Sequence, residues 1–168
     1  MPSPVGHALG GLAAGFLGTR DRRWGVPLAC AALAALPDID LILPITHRGP
    51  THSITAGIVT SAVAFAVLTT MKWKPRLRTA VTLGVAVLTH VLFDWLAADS
   101  AAPRGVMAFW PVSRAFYVSD VDLFAAVERR YWRDDFLRTN GIALARELAV
   151  LVPIVWLART WVRRSAGP

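Results

Sequence analysis

At 168 residues the chain has room for one domain, taken as 1–168. Hydrophobic residues make up 55% and charged residues only 17%, with a mean hydropathy of +0.47; an ordinary water-soluble domain carries about 25% charge, so the composition argues for an integral membrane protein. The formal charge of +7 does not make nucleic acid an expected partner, because Lys and Arg gather at the ends of apolar runs, where membrane topology signals lie.

The predicted elements alternate apolar runs with short basic loops. The N-terminal "MPSPVGH" holds no Lys or Arg, which argues against a cleaved signal peptide. The first run, "HALGGLAAGFLGT" (7–19), is rich in the small residues that let helices approach closely in lipid, and it ends at "RDRR" (20–23). The second, "WGVPLACAALAAL" (24–36), contains the single cysteine, Cys30, read as a buried thiol, and leads into "PDIDLILPITHRGPTH". A third run (53–71) precedes "KWKPRLR" (72–78), and a fourth covers 79–98. Residues 99–140 hold no long apolar run; within them 119–141 is predicted as an amphipathic helix on the membrane surface. Phe124, Val127 and Tyr131 recur there at helical spacing, Ser119 or Asp120 suits its start, and Asn140-Gly141 suits its end. The last run, 141–158, is followed by "RTWVRR".

The expected fold is therefore all-α, an integral membrane bundle of about five helices plus the surface helix. Runs 53–71, 79–98 and 141–158 come near the roughly 20 residues of a full crossing, whereas the first two are short. Trp73, Trp110, Trp132 and Trp161 fall near the expected interfaces. The loops 20–23 and 72–78 and the segment after 158 carry three, four and three Lys or Arg, and share one side if the runs go out and back. The positive-inside rule makes that side cytoplasmic and turns 99–140 outward, against the pull of six Arg in that segment.

Polar residues at membrane depth are costly and point to function. At a helix rise of about 1.5 Å per residue, His7, Asp38, His52, His90 and Asp94 all lie roughly 18–30 Å from the basic edge, in one slab near the outer leaflet. His90 and Asp94, spaced i,i+4 in "THVLFD", share a helix face and suit either one metal ion or a hydrogen bond between helices. Asp38 and Asp40 in "PDID" follow a helix-ending proline; one is expected as a ligand, the other as a cap or as the group that orients a histidine. His52 opens a helix that Thr51 or Ser53 caps. His and Asp donors without thiolate suit a hydrolytic zinc or manganese site of one or two ions. Two such ions beside two or three carboxylates leave positive charge, which favours an anionic substrate and an activated water.

The boxes "GHALGG" (6–11), "LPDIDLILP" (36–44), "HRGPTHS" (47–53), "LTHVLFDWL" (88–96) and "FWPVSR" (109–114) resemble, in order, those of the YdjM-type family of bacterial membrane-bound metal-dependent hydrolases. That family is in turn distantly similar to zinc-dependent phospholipase C. The resemblance implies His7, Asp38 or Asp40, His52, His90 and Asp94 as metal ligands, with Asp94 suited to bridging. The chain departs from the family pattern after Asp94, where "WLAADSAAPRG" stands in place of a Thr- and Gly-containing stretch, and it has no His beyond His90, which argues against a third ion.

The expected protein is an inner-membrane, multi-pass hydrolase. Metal-activated water would attack an ester, a phosphoester of a lipid or lipid-linked substrate above all. Arg48, and with less support Arg104 or Arg114, is the expected anion-binding residue, with snorkelling to the interface as the alternative. Asp40 is placed in the catalytic apparatus, and His47 stands open between a supporting group, a general acid and an exposed loop residue. The rival readings are a non-catalytic membrane protein with a structural or regulatory metal and a divalent-ion transporter. The apolar cytoplasmic halves of the runs disfavour the transporter.

Overall fold

The computed structural model describes residues 1–20, 23–41, 47–99 and 103–165. The "LIL" part of the aspartate box beyond Leu41, Arg22 of the first basic loop and part of the stretch after Asp99 lie outside them. Among the described residues five α-helices form an all-helical bundle: α1 (Pro4–Thr19), α2 (Gly25–Ala35), α3 (Ile54–Thr70), α4 (Arg76–Trp95) and α5 (Phe136–Ser165). Two 3-10 helices, Leu36–Leu41 and Pro50–His52, lie between α2 and α3.

Local chemistry sets the boundaries. Ser3 caps α1 by accepting from the Gly6 N–H, with Pro4 in the first turn, and Arg20 ends it in a left-handed conformation (φ 54°). Pro37 follows α2 directly and has no N–H to continue an α-helical ladder, so the chain tightens into the 3-10 turn that carries both aspartates. Ser53, not Thr51, caps α3, by accepting from the Ala56 N–H at 3.1 Å.

α1 packs against α2, α4 and α5, and α4 also packs against α2 and α3. Glycines allow the closest approaches. A Cβ at Gly11 would run into the Cys30 carbonyl and stand 2.6 Å from Ala34 Cβ, and one at Gly84 would meet Ser61 and the Gly57 backbone. Arg20 lies over Trp161 at 5.2 Å, Arg159 lies over Trp24 at 4.4 Å, and Arg78 donates to the Gly18 carbonyl. These contacts gather the three basic segments at one end of the bundle.

The outward faces are apolar. Ile58, Val59, Val63 and Val67 of α3, Val81 and Val85 of α4 and Val152, Trp156 and Leu157 of α5 are exposed, while His7, Asp38, Asp40, His52, His90 and Asp94 are buried. This inverts the order of a water-soluble protein, and so large an apolar surface is suited to lipid. Arg76–Trp95 and Phe136–Ser165 are long and apolar enough to cross a membrane, and Ile54–Thr70 is a shorter apolar helix of the same kind. Of the three runs expected near crossing length, 53–71 thus folds as the short one.

The surface helix expected over 119–141 is not formed. Asp120 and Asp122 take left-handed φ of 56° and 52°, and the segment's N–H groups bond elsewhere. Ser119 N–H donates to Trp95 O, Leu123 N–H to Leu96 O and Val127 N–H to Met1 O, while Ala98 N–H donates to Phe124 O. The segment is a strap laid across the end of α4, with Phe124 buried beneath it. Asn140-Gly141, expected to end a helix, lies inside α5. The Asn140 side chain bonds both backbone groups of Glu128 at 2.9 Å instead of capping.

Candidate metal centre

At the end of the bundle opposite the basic segments, five side chains converge from four elements. His7 comes from the first turns of α1, Asp38 from the first 3-10 turn, His52 from the second, and His90 and Asp94 from one face of α4. His7, His52 and His90 are fully buried and Asp38 and Asp94 nearly so. His7 Nε2 lies 3.3 Å from Asp94 Oδ1 and 3.9 Å from Asp38 Oδ2. His52 Nε2 and His90 Nε2 each lie 3.4 Å from Asp94 Oδ2 and 3.8 Å from Asp38 Oδ1.

These separations exceed those of good hydrogen bonds, and none of the three Nε2 atoms or four carboxylate oxygens has a hydrogen-bond partner among the described residues. Two ligands on one tetrahedral ion with bonds of about 2.1 Å stand about 3.4 Å apart. Buried polar atoms left unpaired are costly, and carboxylates most of all. The spacing and the orphaned atoms together match a donor set arranged around a cation. His7, Asp38, His90 and Asp94 alone already offer ligand atoms within 4.8 Å of one another. The carboxylates divide their oxygens: one edge faces His52 and His90, the other faces His7. Such a division suits one ion or two neighbouring ones.

The remote ring nitrogens of His90 and His52 are tied back, whereas His7 Nδ1 has no partner among the described residues. His90 Nδ1–H donates to the Ala34 carbonyl at 2.7 Å, which leaves the Nε2 lone pair facing the carboxylates. His52 Nδ1 is 3.0 Å from the Thr51 hydroxyl and 3.3 Å from Asp40 Oδ2. Asp40 thus sits behind His52 rather than among the five converging groups. It accepts from His47 Nδ1 at 2.6 Å, Thr51 Oγ at 3.0 Å and Arg48 N–H at 3.2 Å. Asp40, His47 and His52 form a second group of closely spaced donors. Burial lowers the pKa of His47 although Asp40 pulls it upward, so the ring favours its neutral form.

Arg48 is buried, with φ of 60°, and its guanidinium pairs with Asp99 and reaches the Pro103 carbonyl at 3.4 Å. Asp99 also accepts from the Gly105 N–H at 2.6 Å. It therefore balances the Arg48 charge that sequence reasoning offered to a substrate. Arg104 pairs with Asp120 at the surface, and Arg114 is exposed.

Sequence reasoning gave Thr51 only a capping role and left Glu147, with Arg146, open between the interface and the pocket. Thr51 holds Asp40 beside His52. Glu147 of α5, fully buried, accepts from the Ser3 N–H at 2.6 Å and from the Ser3 hydroxyl, in the room left by Gly6, and so fixes the start of α1 and with it His7. The charged pair Arg146-Glu147 within the otherwise apolar 141–158 run was the signal for the second of these.

Fold and site together define an all-helical membrane protein with a buried His/Asp cluster able to hold metal. The model of the YdjM inner membrane protein family matches residues 1–166, so the chain belongs to that family. No curated protein and no solved structure matches it significantly.

Proposed function

We propose that the chain is a multi-pass inner-membrane hydrolase acting on an ester, a phosphoester of a lipid or lipid-linked molecule. The observation that carries this reading is the convergence of three imidazoles and two carboxylates, buried and without hydrogen-bond partners at their facing atoms. The donors fit one or two zinc ions, or manganese, held by His7, Asp38, His52, His90 and Asp94, because nitrogen and oxygen ligands without thiolate favour a reactive over a purely structural site. When bound, such an ion supplies a Lewis acid and lowers the pKa of water toward neutrality.

The chain's own residues do the rest. Asp40 orients His52 through Nδ1, and the Ala34 carbonyl orients His90. His47 is held by Asp40 at Nδ1 and keeps Nε2 without a partner, which supports a role as the group that carries a proton between water and the leaving oxygen. The apolar bundle beneath excludes water from the cluster. With the basic end cytoplasmic, the cluster faces the outer leaflet.

The test is metal analysis of the purified protein beside a His52→Ala/Asp94→Ala variant, followed by a phosphodiesterase and lipid-ester screen. The expected result is one or two zinc or manganese ions in the wild type, none in the variant, and turnover only in the wild type. Metal without turnover on any ester would favour a structural ion, and absence of metal would end the reading.

A further inference from the structure

A cavity of about 540 Å³ lies beneath the strap, bordered by Arg48, Asp99, Glu128, Arg129 and Arg130. It adjoins the metal centre through Arg48, whose backbone N–H is bound to Asp40 and whose neighbour is His47.

Its charged side chains are paired with one exception, and the Met1 ammonium, which also borders it, donates to the Ala98 carbonyl at 3.3 Å. Arg48 is matched by Asp99. Glu128 binds Arg130 through both carboxylate oxygens, at 2.8 and 2.7 Å, which holds its carboxyl down at about 2. Arg133, beyond the rim, is matched by Asp135 at 2.8 Å. Arg129, exposed at the border of the cavity, makes no hydrogen bond or ion pair among the described residues. The backbone on its N-terminal side is fixed: Val127 N–H donates to Met1 O, and Glu128 is held at both backbone groups by Asn140. An exposed arginine without a protein partner among the described residues thus borders a polar cavity beside the cluster, on a backbone anchored at its N-terminal side.

We propose that this cavity receives the phosphate group of the substrate and that Arg129, rather than Arg48, is the guanidinium that binds it. This rests on the hydrolase reading for the word substrate, but phosphate recognition is separable from metal. A planar guanidinium offers two parallel N–H donors to a phosphate, with each hydrogen bond between charged partners stronger than its neutral counterpart. A free phosphate and a lipid headgroup share that chemistry.

The experiment uses the full chain in detergent, loaded with zinc. Inorganic phosphate is titrated by calorimetry, and binding to mixed micelles containing phosphatidic acid is compared with micelles containing phosphatidylcholine. Arg129→Ala, Arg129→Lys and, as control, Arg114→Ala are measured with zinc content and melting temperature recorded for each. Arg129→Ala is expected to weaken phosphate binding about tenfold or more at unchanged zinc content, with Arg129→Lys intermediate and Arg114→Ala like wild type. A preference for phosphatidic acid micelles that Arg129→Ala removes assigns the headgroup; phosphate binding without that preference assigns the free anion. Wild-type affinity in Arg129→Ala, or no phosphate binding by the wild type, overturns the proposal. Arg129-dependent binding in a protein that holds no zinc would keep this cavity and discard the hydrolase.

Discussion

The buried donors differ in how they are held, and so in what their loss does. Asp94 faces all three imidazoles with its two oxygens, so Asp94→Ala is expected to abolish tight metal binding. Asp40→Asn should leave all five converging groups in place but weaken their orientation, because an amide replaces one acceptor among His47, Thr51, Arg48 and His52. Loss of such an orienting partner costs roughly 10–100-fold in metal affinity; competition with a chelator measures it, and an unchanged affinity would show that Asp40 does not steer His52. Glu147 makes the complementary case, a buried carboxylate that supports position rather than chemistry. Glu147→Ala leaves the Ser3 N–H and hydroxyl without their acceptor and is expected to destabilise the protein by about 2–4 kcal/mol in thermal unfolding, with Glu147→Gln costing about half as much because one acceptor remains. The sequence left Asp38 and Asp40 as alternatives for a physical reason. In a 3-10 helix, with three residues per turn, positions i and i+2 point in different directions, so only one can face a given ion. Which one depends on the rotation of that turn against α4 and the 47–53 loop, and no local pattern encodes it.

At the scale of elements, the five helices were legible because each is an apolar run, short in the first two and near crossing length in the rest, with Pro, Ser or charged residues at its ends. The strap was not, because its helical spacing is a coincidence of composition. Phe124 is buried while Tyr131, placed on the same expected face, is 77% exposed. Its backbone bonds run to the ends of α4 and to Met1, partners distant in sequence. Tertiary pairing of this kind overrides local propensity. The same contrast separates two glycines. Gly11 stands where α1 meets the α2 backbone, so Gly11→Leu must push the two helices apart, at a cost of about 1–3 kcal/mol. Since α1 carries His7 and α2 leads into Asp38, zinc affinity should fall with stability. Gly141 lies inside α5 with open space around its Cβ position. Gly141→Ala is therefore expected to stabilise by about 0.5–1 kcal/mol, through lower entropy of the unfolded chain. Thermal unfolding of both variants in one detergent checks the pair; equal effects would contradict the packing described for α1 and α2.

For the whole molecule, the bundle is polar inside at one end, basic at the other and apolar around the waist. A water-soluble chain would expose its charges and bury its Val, Leu and Trp, and this one does the reverse at mid-height. The two ends therefore carry the topology. Val112, 94% exposed, follows the Trp110 carbonyl that holds Thr55 at the start of α3, so it belongs to the cluster end. Ser165 closes α5 beside Arg163 and Arg164, at the basic end. The native thiol, Cys30, is buried between α2 and α4 and can be replaced by Ala at small volume cost. In that background a cysteine placed by Val112→Cys should react with a membrane-impermeant maleimide added to intact spheroplasts, whereas one placed by Ser165→Cys should react only after permeabilisation. The physical reason is the cost of moving basic loops outward across an energised membrane, which keeps short Lys- and Arg-rich segments in the cytoplasm. Six Arg between positions 99 and 140 oppose that reasoning in part, since three of them, Arg104, Arg130 and Arg133, each have an acidic partner at the cluster end. Labelling of the Ser165→Cys protein in intact spheroplasts, with Val112→Cys protected, would invert the orientation and turn the metal centre toward cytoplasmic substrates.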